Sequence, residues 1–373
     1  KTESFMLPLL AYLIKESSDA TIWGAPGTKL EDQDKYWEKR NRSDWMPQRQ
    51  HEYRPAAVRA LILYPMNALV EDQLTRLRKA LDSEEALEWL KQNRCGNKFY
   101  FGRYTSATPV TGNRKDQDAY PFKRTELKQR LRKMADAAEK AKSFSASVSQ
   151  GGNKALLDAK KEAPFFFQQL TGSEMRSRWD MQAYPPDILI TNYSMLSIMM
   201  SREEDNSIFE KTRTWLEEGR ELGEQRIFHL VLDELHLYRG TAGTEVAYLI
   251  RLLLHRLGLR SDSEQLRILG ASASLEAEEG DELKQEEFLH QLFGAPKNSF
   301  KVIEGKQEPL PENQEGIGAA AWARLPRAFE SLVEDFDDNN GDPLKIDNIC
   351  ERAVIDLSAE LGFCYNAGCG NSG

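Results

Sequence analysis

The stretch that decides the fold runs from Ile227 to Gly240 and reads Ile-Phe-His-Leu-Val-Leu-Asp-Glu-Leu-His-Leu-Tyr-Arg-Gly. Its largely apolar beginning, which ends at Leu232, is too short for a typical helix and predicts a strand buried on both faces of a parallel sheet. Two adjacent carboxylates, Asp233 and Glu234, follow this strand at once. Because open α/β sheets bind ligands outside the carboxyl ends of their strands, the pair predicts a ligand site.

Two adjacent carboxylates can divide the work of a hydrolytic site. One can hold Mg²⁺, a hard cation that prefers oxygen ligands. Its neighbour can orient or deprotonate a water molecule. The alternative is a solvated transition from strand to loop, and this stretch alone does not exclude it.

The first residues of the chain favour the functional interpretation. Lys1 and Thr2 precede a segment with helical apolar spacing, as they would at the end of a G-x-x-x-x-G-K-[ST] phosphate loop. In that loop the Lys side chain reaches the β- and γ-phosphates and the hydroxyl binds Mg²⁺. The glycines of such a loop would precede Lys1, so the pair is informative only together with the downstream strand that ends in Asp233 and Glu234.

Four ordered blocks carry a resemblance to a known family. The block Asp233-Glu234-Leu235-His236 resembles the Walker B box of DEAD/DEAH-type superfamily 2 helicases. The other blocks resemble motif Ia (Leu63 to Gln73), the next strand and loop that contact nucleic acid (Asp187 to Leu196), and the Ser-Ala-Thr motif (Gly270 to Leu275, with Ser274 in place of Thr). The form Asp-Glu-Leu-His-x-Tyr-Arg-Gly is most similar to large bacterial helicases of phage-defence systems such as DISARM, and DNA-repair helicases share it.

The resemblance implies an α/β fold, a RecA-like P-loop domain whose parallel sheet is flanked by helices, and an ATP-dependent motor that moves on nucleic acid. DNA is a more natural partner than RNA, ATP and Mg²⁺ are the implied cofactors, and further defence-complex subunits are possible partners. The roles follow from the matched positions. Lys1 would neutralise the γ-phosphate, Thr2 and Asp233 would hold Mg²⁺, Glu234 would position the attacking water, and His236 would couple that site to motion. Asn67, Thr191 and Asn192 would contact the nucleic-acid backbone and so form the strand track, the surface along which a nucleic-acid strand lies. Ser272 and Ser274 would link the nucleotide to this strand track.

The resemblance also implies a domain organisation. Residues 1–276 correspond to a first motor domain, with insertions at about 18–57 and 110–180, and residues 277–373 form a helical and irregular extension at the start of an inter-domain region. A second RecA-like domain would supply an arginine finger, and no Gln-x-x-Gly-Arg-x-x-Arg block follows Ser274. We therefore expect this chain alone to bind nucleotide weakly and to hydrolyse it barely.

Hydrophobic periodicity predicts the remaining elements. Further strands are predicted at 59–64, 98–104, 187–191 and 266–269, and helices at 3–17, 68–81, 123–142, 194–200, 207–224, 245–257, 276–300 and 346–363. The first helix would bury Phe5, Leu9, Leu10, Leu13 and Ile14 on one face, and the helix that ends before Gly258 would bury Val246, Leu249, Ile250, Leu253, Leu254 and Leu257.

Several features of the insertions have two interpretations. Trp23, Trp37 and Trp45 could stack on bases, but aromatic anchors that tie down an insertion are the better interpretation. The charged helix at 123–142, with Leu127, Leu131, Met134 and Ala138 on one stripe, could attract phosphates but is more often a solvated face. The hydroxyl-rich loop at 105–109 is equally a phosphate contact or a plain turn. The cluster of Arg176, Arg178 and Trp179 either stacks on a single strand or clamps the insertion onto the core.

Composition limits the possible classes of protein. The chain has 373 residues, 40% hydrophobic and 29% charged, and a formal net charge of −9, which argues against a protein that coats nucleic acid by bulk charge. The sequence has no apolar run of the roughly 18 residues that a membrane span needs, and a reducing cytoplasm is the simplest compartment. Cys364 and Cys369 lack the two-residue spacing of a structural zinc site and have no matching partner pair. Cys350 could join them, but the spacing still argues against a metal site. Two other classes of protein, a non-hydrolysing nucleic-acid clamp and a P-loop ATPase that remodels proteins, fit the four blocks less well.

Overall fold

A parallel β-sheet organises the computed structural model of the chain. The structure describes residues 2–19, 23, 35–38, 45–52, 54–65, 68–110, 112, 121–146, 160–272 and 282–303. Within these ranges the sheet has five strands in the order β2-β3-β1-β4-β5, and all neighbouring strands are parallel. The strands are β1 (Ala60–Tyr64), β2 (Phe101–Tyr104), β3 (Ile188–Asn192), β4 (Phe228–Leu232) and β5 (Leu266–Gly270).

Helices connect the strands and cover the sheet. They are α1 (Thr2–Glu16), α2 (Ala68–Leu81), α3 (Glu84–Asn93), α4 (Pro121–Ala146), α5 (Arg178–Ala183), α6 (Tyr193–Ser201), α7 (Asn206–Leu222), α8 (Gly240–Arg256) and α9 (Glu282–Phe293). Short 3₁₀ turns lie at Ala163–Phe166, Leu235–Leu237 and Lys297–Ser299. The predicted α/β class, a RecA-like parallel sheet flanked by helices, is confirmed.

The central strands β1 and β4 are buried along their whole length, and alternate residues point to opposite layers of the fold. In β1, Leu61 and Leu63 join one hydrophobic cluster with side chains of α6, α7 and α8, whereas Ala60, Ile62 and Tyr64 join a second cluster with side chains of α1 and α2. This alternation is the period of two that a strand imposes. Because helices cover both faces of β1 and β4, these strands need continuous apolar runs and not an alternation of apolar and polar residues.

The helical stripes largely match the periodicity. In α8, every residue of the predicted stripe is buried, from Val246 to Leu257. In α1 the prediction for Ile14 was wrong, since its side chain is 44% exposed, while Met6 is buried in its place. Helix α3 has no counterpart in the sequence analysis, although Ser83 caps it by accepting a hydrogen bond from the amide of Ala86.

The two insertions pack against each other in a third cluster. Its buried members come from both insertions: Tyr36, Trp37, Trp45, Leu127, Leu131, Leu170 and Trp179. The guanidinium of Arg176 lies 4.2 Å from the centre of the Trp37 ring, and Arg176 and Trp179 are buried. The aromatic residues are therefore anchors, and the cluster around Trp179 holds the insertions together, which resolves the two open alternatives for these residues.

The chain divides into two compact units, residues Lys1–Lys301 and Val302–Gly373. The first unit includes α9, where Arg251 of α8 donates to the backbone oxygen of Gln291 at 2.7 Å. The compact part that contains the sheet thus extends past the boundary after residue 276 that the sequence suggested. Of the second unit only Val302 and Ile303 are described, so the predicted helix at 346–363 and Cys350, Cys364 and Cys369 lie outside the described residues.

A buried ion network fastens the amino ends of β1 and β3. The carboxylate of Asp187 accepts hydrogen bonds from Arg54 at 2.6 Å and from Arg59 at 2.9 Å, and also from the amide of Tyr100 at 2.8 Å. Arg59 also bonds to Glu16 at the end of α1, at 2.6 Å. Burial alone would raise the pKa of Asp187, but the surrounding arginines hold it well below its ordinary value.

We expect Asp187→Asn to lower the free energy of unfolding by about 3 kcal/mol, because it leaves buried arginines without their shared counter-ion. The stabilisation by this carboxylate is fully present above its unfolded pKa, roughly 4, and is lost as the pH falls. Urea denaturation between pH 3 and pH 7 measures both effects, and the variant should show a weaker loss of stability with acid. Asp262→Asn, at an exposed ion pair with Arg260, is the matched control and should change little.

Candidate functional site

The parallel sheet brings every strand's carboxyl end to one edge of the molecule. Along this edge the order is the loop after β2, then the ends of β3, β1, β4 and β5. The register places Tyr64 beside Asn192 and Leu232 beside Gly270. The candidate residues consequently fall into two neighbouring groups. The hydrolysis group, Asp233, Glu234, His236 and Ser272, follows β4 and β5, and the track group, Thr191 and Asn192 with the loop at 105–109, follows β3 and β2.

The two carboxylates of the hydrolysis group differ in their surroundings. Asp233 is 4% exposed and accepts a hydrogen bond from the amide of Glu234 at 2.9 Å. The backbone of Glu234 has φ 55° and ψ 48°, in the left-handed region that a non-glycine residue enters at a cost. This turn ends β4 abruptly, and it gives the two neighbouring carboxylates separate positions instead of opposite faces of a continuing strand.

His236 joins the end of β4 to the end of β5. Its Nδ1 lies 3.2 Å from the hydroxyl of Ser272 and 3.4 Å from a carboxylate oxygen of Glu234. The imidazole is thus in contact with both the predicted water-positioning carboxylate and the first serine of the Ser-Ala-Ser segment. The His236 ring thus lies between Ser272 on one side and Glu234 on the other.

Two tyrosines that the sequence analysis did not identify flank Asp233. The hydroxyls of Tyr64 and Tyr238 are buried and have no hydrogen-bond partner among the described residues. Burial raises the pKa of both phenols, and the negative charge of Asp233 raises it further, so both remain protonated donors near that carboxylate. Their signal in the sequence was weak: each is an aromatic residue just inside a matched block, at a position where an apolar core role is the simpler expectation.

Glycine at position 243 sets the distance between α8 and the segment that carries Tyr238. A Cβ atom at Gly243 would lie 2.0 Å from the backbone oxygen of Tyr238, a separation that no side chain can occupy. The first turn of α8 therefore packs directly on the backbone that follows Glu234. This contact holds the 3₁₀ turn Leu235–Leu237, and with it His236, against the end of β5.

The polar side chains of the track group are used within the protein. Thr191 is fully buried, and its hydroxyl donates to the backbone oxygen of Tyr104 at 2.7 Å. Asn192 caps α6, and its side-chain oxygen accepts from the amide of Met195 at 2.7 Å. In the loop after β2, the hydroxyls of Thr105 and Thr108 bond to the loop's own backbone, as in a plain turn, whereas Ser106 is exposed.

Several predicted residues have no described side chain. Lys1, Asn67 and Ser274 lie outside the described residues, and of Thr2 only the helical backbone is described. The placement of the phosphate-binding pair and of Asn67 therefore remains a prediction. Among the described ranges, no cluster of three or more His, Cys, Asp or Glu side chains has the geometry of a metal cage, and no helix has the length and apolar character that a bilayer crossing requires.

Comparison with known proteins relates the chain to helicases. No protein-family model matches the chain. The chain is similar to Druantia protein DruE of Escherichia coli, with 34% identity over 363 residues, which cover 90% of this chain and 18% of DruE. It is also similar to the uncharacterized ATP-dependent helicase MJ1574 of Methanocaldococcus jannaschii, with 27% identity over 172 residues, 46% of this chain and 22% of that protein. The chain thus spans about a fifth of the length of the curated relatives it matches.

Solved structures of the DUF1998 helicase MrfA also align with this chain. The crystal structure of that helicase has 16% identity and a TM-score of 0.33, and covers 82% of this chain and 32% of that chain. The same helicase bound to DNA and AMPPNP has 17% identity and a TM-score of 0.34, and covers 82% of this chain and 30% of that one.

We expect Gly243→Ala to destabilise the protein, although helix propensity alone would favour alanine by about 1 kcal/mol. The new Cβ must displace the backbone at Tyr238, which should cost about 1–3 kcal/mol and reverse the sign. Thermal unfolding measures the outcome, with Thr244→Ala, at an exposed position one residue further along α8, as the control. A Gly243→Ala protein that melts at a higher temperature would contradict the direct backbone contact.

Proposed function

We propose that this chain, a superfamily 2 helicase domain related to the helicases of phage-defence systems, is the ATP-binding first motor domain of a DNA helicase or translocase in such a system. One observation carries the proposal. Along the carboxyl edge of the sheet, the acidic, phenol-lined hydrolysis group lies one strand away from the track group, with β1 between them. The similarity to Druantia protein DruE over 90% of the chain supports the defence role. The similarity to an ATP-dependent helicase supports the use of ATP.

The residues around Asp233 fit a nucleotide-bound Mg²⁺. In proteins Mg²⁺ is commonly held by one or two carboxylates together with substrate phosphates, and it keeps several of its waters. A single buried carboxylate with two unpartnered phenol donors nearby, at Tyr64 and Tyr238, suits such a shell, and the described residues offer no larger cage. Asp233 would hold the cation with the hydroxyl of Thr2, and Lys1 would bind the phosphates. When bound, the cation would neutralise charge on the phosphates.

Glu234 has the position and the chemistry for the water that attacks the phosphate. Its left-handed backbone separates its side chain from that of Asp233, so one carboxylate can serve the cation while the other orients the water and accepts its proton. Lys1 would oppose the charge that spreads over the phosphate oxygens during transfer. The strained turn at Glu234 is the kind of local cost that proteins keep where it positions a reacting group.

His236 and Ser272 form the connection between hydrolysis and movement. The imidazole contacts Glu234 on one side and Ser272 on the other, so a change at Glu234 reaches the segment that continues to Ser274. Movement of that segment would in turn shift β5 against β4. Asn67, Asn192 and the buried Thr191 would define the strand track, with Thr191 acting through its bond to Tyr104 and the backbone around it supplying the nucleic-acid contacts.

The test of this function is ATP hydrolysis by the natural full-length protein, with and without single-stranded DNA. We expect strong stimulation by DNA, and we expect Glu234→Gln to lower the stimulated rate by at least about 100-fold, the usual share of general-base catalysis. Glu210→Gln, an equal change at an exposed position on α7, is the matched control and should keep the wild-type rate. The 373-residue chain alone should bind nucleotide weakly and turn over less than once per minute.

Three outcomes would contradict this proposal. DNA binding without any stimulation of hydrolysis would favour a clamp that holds nucleic acid passively. A Glu234→Gln protein with full activity would remove Glu234 from the reaction. Several turnovers per minute from the 373-residue chain alone would show that no second domain is needed.

A further inference from the structure

The insertion helix α4 carries an unusual charge for this protein. It has eight basic and three acidic side chains, a formal excess of five positive charges, in a chain whose net charge is −9. Its apolar stripe, with Leu127, Leu131 and Ala138 buried, packs on the aromatic anchors of the insertions. Arg130 and Lys133, three residues apart on the same flank of that stripe, are exposed. The charged flank therefore faces water beside a fixed helix.

Backbone carbonyls hold two arginines of α4. Arg130 donates to the backbone oxygen of Ala107 at 2.9 Å, and Arg132 donates to that of Trp37 at 2.6 Å. Among the described residues, no carboxylate lies within ion-pair distance of Arg130, Lys133 or Lys142. A carbonyl bond fixes the direction of a guanidinium without cancelling its charge, so the positive charge remains available to an anion.

The Arg130 contact joins α4 to the carboxyl edge of the sheet. Ala107 belongs to the loop after β2, next to β3 and its terminal Asn192. Arg178 donates to the neighbouring backbone oxygen of Thr105 at 2.7 Å, so two guanidinium groups converge on one short loop. The exposed Ser106 lies between Thr105 and Ala107. This loop thus connects the track group to α4, with guanidinium groups bonded to its backbone and an exposed hydroxyl at its tip.

Arg103, near the end of β2, belongs to the same surroundings, since its backbone oxygen accepts from the hydroxyl of Thr108 in this loop. Its guanidinium pairs with Glu71 of α2, so its charge is already balanced. The positive charge left for an anion is therefore that of Arg130 and, one turn further along α4, of Lys133.

We propose that Ser106, Arg130 and Lys133 form a phosphate-binding surface that extends the strand track from β3 over the loop after β2 and onto α4. Its ligand is the phosphate backbone of single-stranded DNA, bound without base recognition. The proposal rests on the proposed nucleic-acid motor function and assigns the insertion a place in it. A solvated helix face that only clamps the insertions would need its apolar stripe and its carbonyl bonds, but it would not need the charge of Lys133, which pairs with no carboxylate in the described part of the chain.

The test is the double variant Arg130→Gln, Lys133→Gln in the natural full-length protein. Fluorescence anisotropy measures its affinity for a labelled single-stranded oligonucleotide over a range of KCl concentrations. Each lost phosphate contact should lower the slope of log affinity against log salt by about 0.7, so the pair should lower it by about 1.4 and weaken binding about tenfold near 0.1 M salt. The loss should be the same for unrelated sequences, since backbone contacts carry no base information.

Two controls separate charge from folding. Arg260→Gln, Lys297→Gln removes two exposed cations from loops that precede β5 and follow α9, and it should leave the salt slope unchanged. Arg130→Lys, Lys133→Arg keeps both charges and should restore the wild-type slope. DNA-independent ATP hydrolysis should be the same in all variants, since none of these residues belongs to the hydrolysis group.

A double variant that binds DNA with wild-type affinity and slope would overturn this inference while leaving the motor function intact. A wild-type protein that neither binds DNA nor responds to it would instead overturn the proposed function itself. If Arg130→Lys, Lys133→Arg bound as poorly as the Gln double variant, the role of these residues would be structural and the phosphate surface would be rejected.

Discussion

The structure depends on one constraint, the parallel alignment of its five described strands. Parallel pairing puts every carboxyl end on the same edge, and it requires helical crossovers that bury both faces of the sheet. The polar residues that end the strands therefore gather along a single line although they are far apart in the sequence. The buried network of Arg54, Asp187 and Arg59 fastens the opposite edge, so the functional edge can carry strain and unpartnered polar groups without loosening the strands.

At the functional edge, the main local feature is the sharp turn after β4. The left-handed backbone at Glu234 costs stability, and the close packing of Gly243 on Tyr238 keeps the turn in place. The result is a buried carboxylate at Asp233 and a separate one at Glu234. The ring of His236 connects the latter to Ser272 on the next strand. The different surroundings of the two neighbouring acids thus follow from backbone geometry and not from their chemical type.

Much of the fold could be predicted from the sequence, because buried strands and amphipathic helices have periods that single residues reveal. The stripe of α8 and the apolar run of β4 are examples. The site was only partly predictable. Asp233, Glu234, His236 and Ser272 belong to matched motifs, whereas Tyr64 and Tyr238 are candidates only because they lie buried near Asp233, and no local pattern encodes that proximity. The resemblance likewise placed Thr191 and Asn192 at the nucleic-acid backbone. In the structure the hydroxyl of Thr191 bonds to the backbone of Tyr104, and the side-chain oxygen of Asn192 caps α6. Tertiary packing decides such internal bonds, and a local sequence pattern does not reveal them.

The proposed coupling of the hydrolysis group to the strand track through His236 and Ser272 can be tested at equilibrium. The measurement is the affinity of the natural full-length protein for a non-hydrolysable ATP analogue, with and without saturating single-stranded DNA. If the coupling exists, DNA should tighten nucleotide binding about 5- to 150-fold, nucleotide should tighten DNA binding equally, and Ser272→Ala should remove most of this coupling while preserving the two separate affinities. Equal nucleotide affinities with and without DNA, or coupling that survives Ser272→Ala in full, would contradict it.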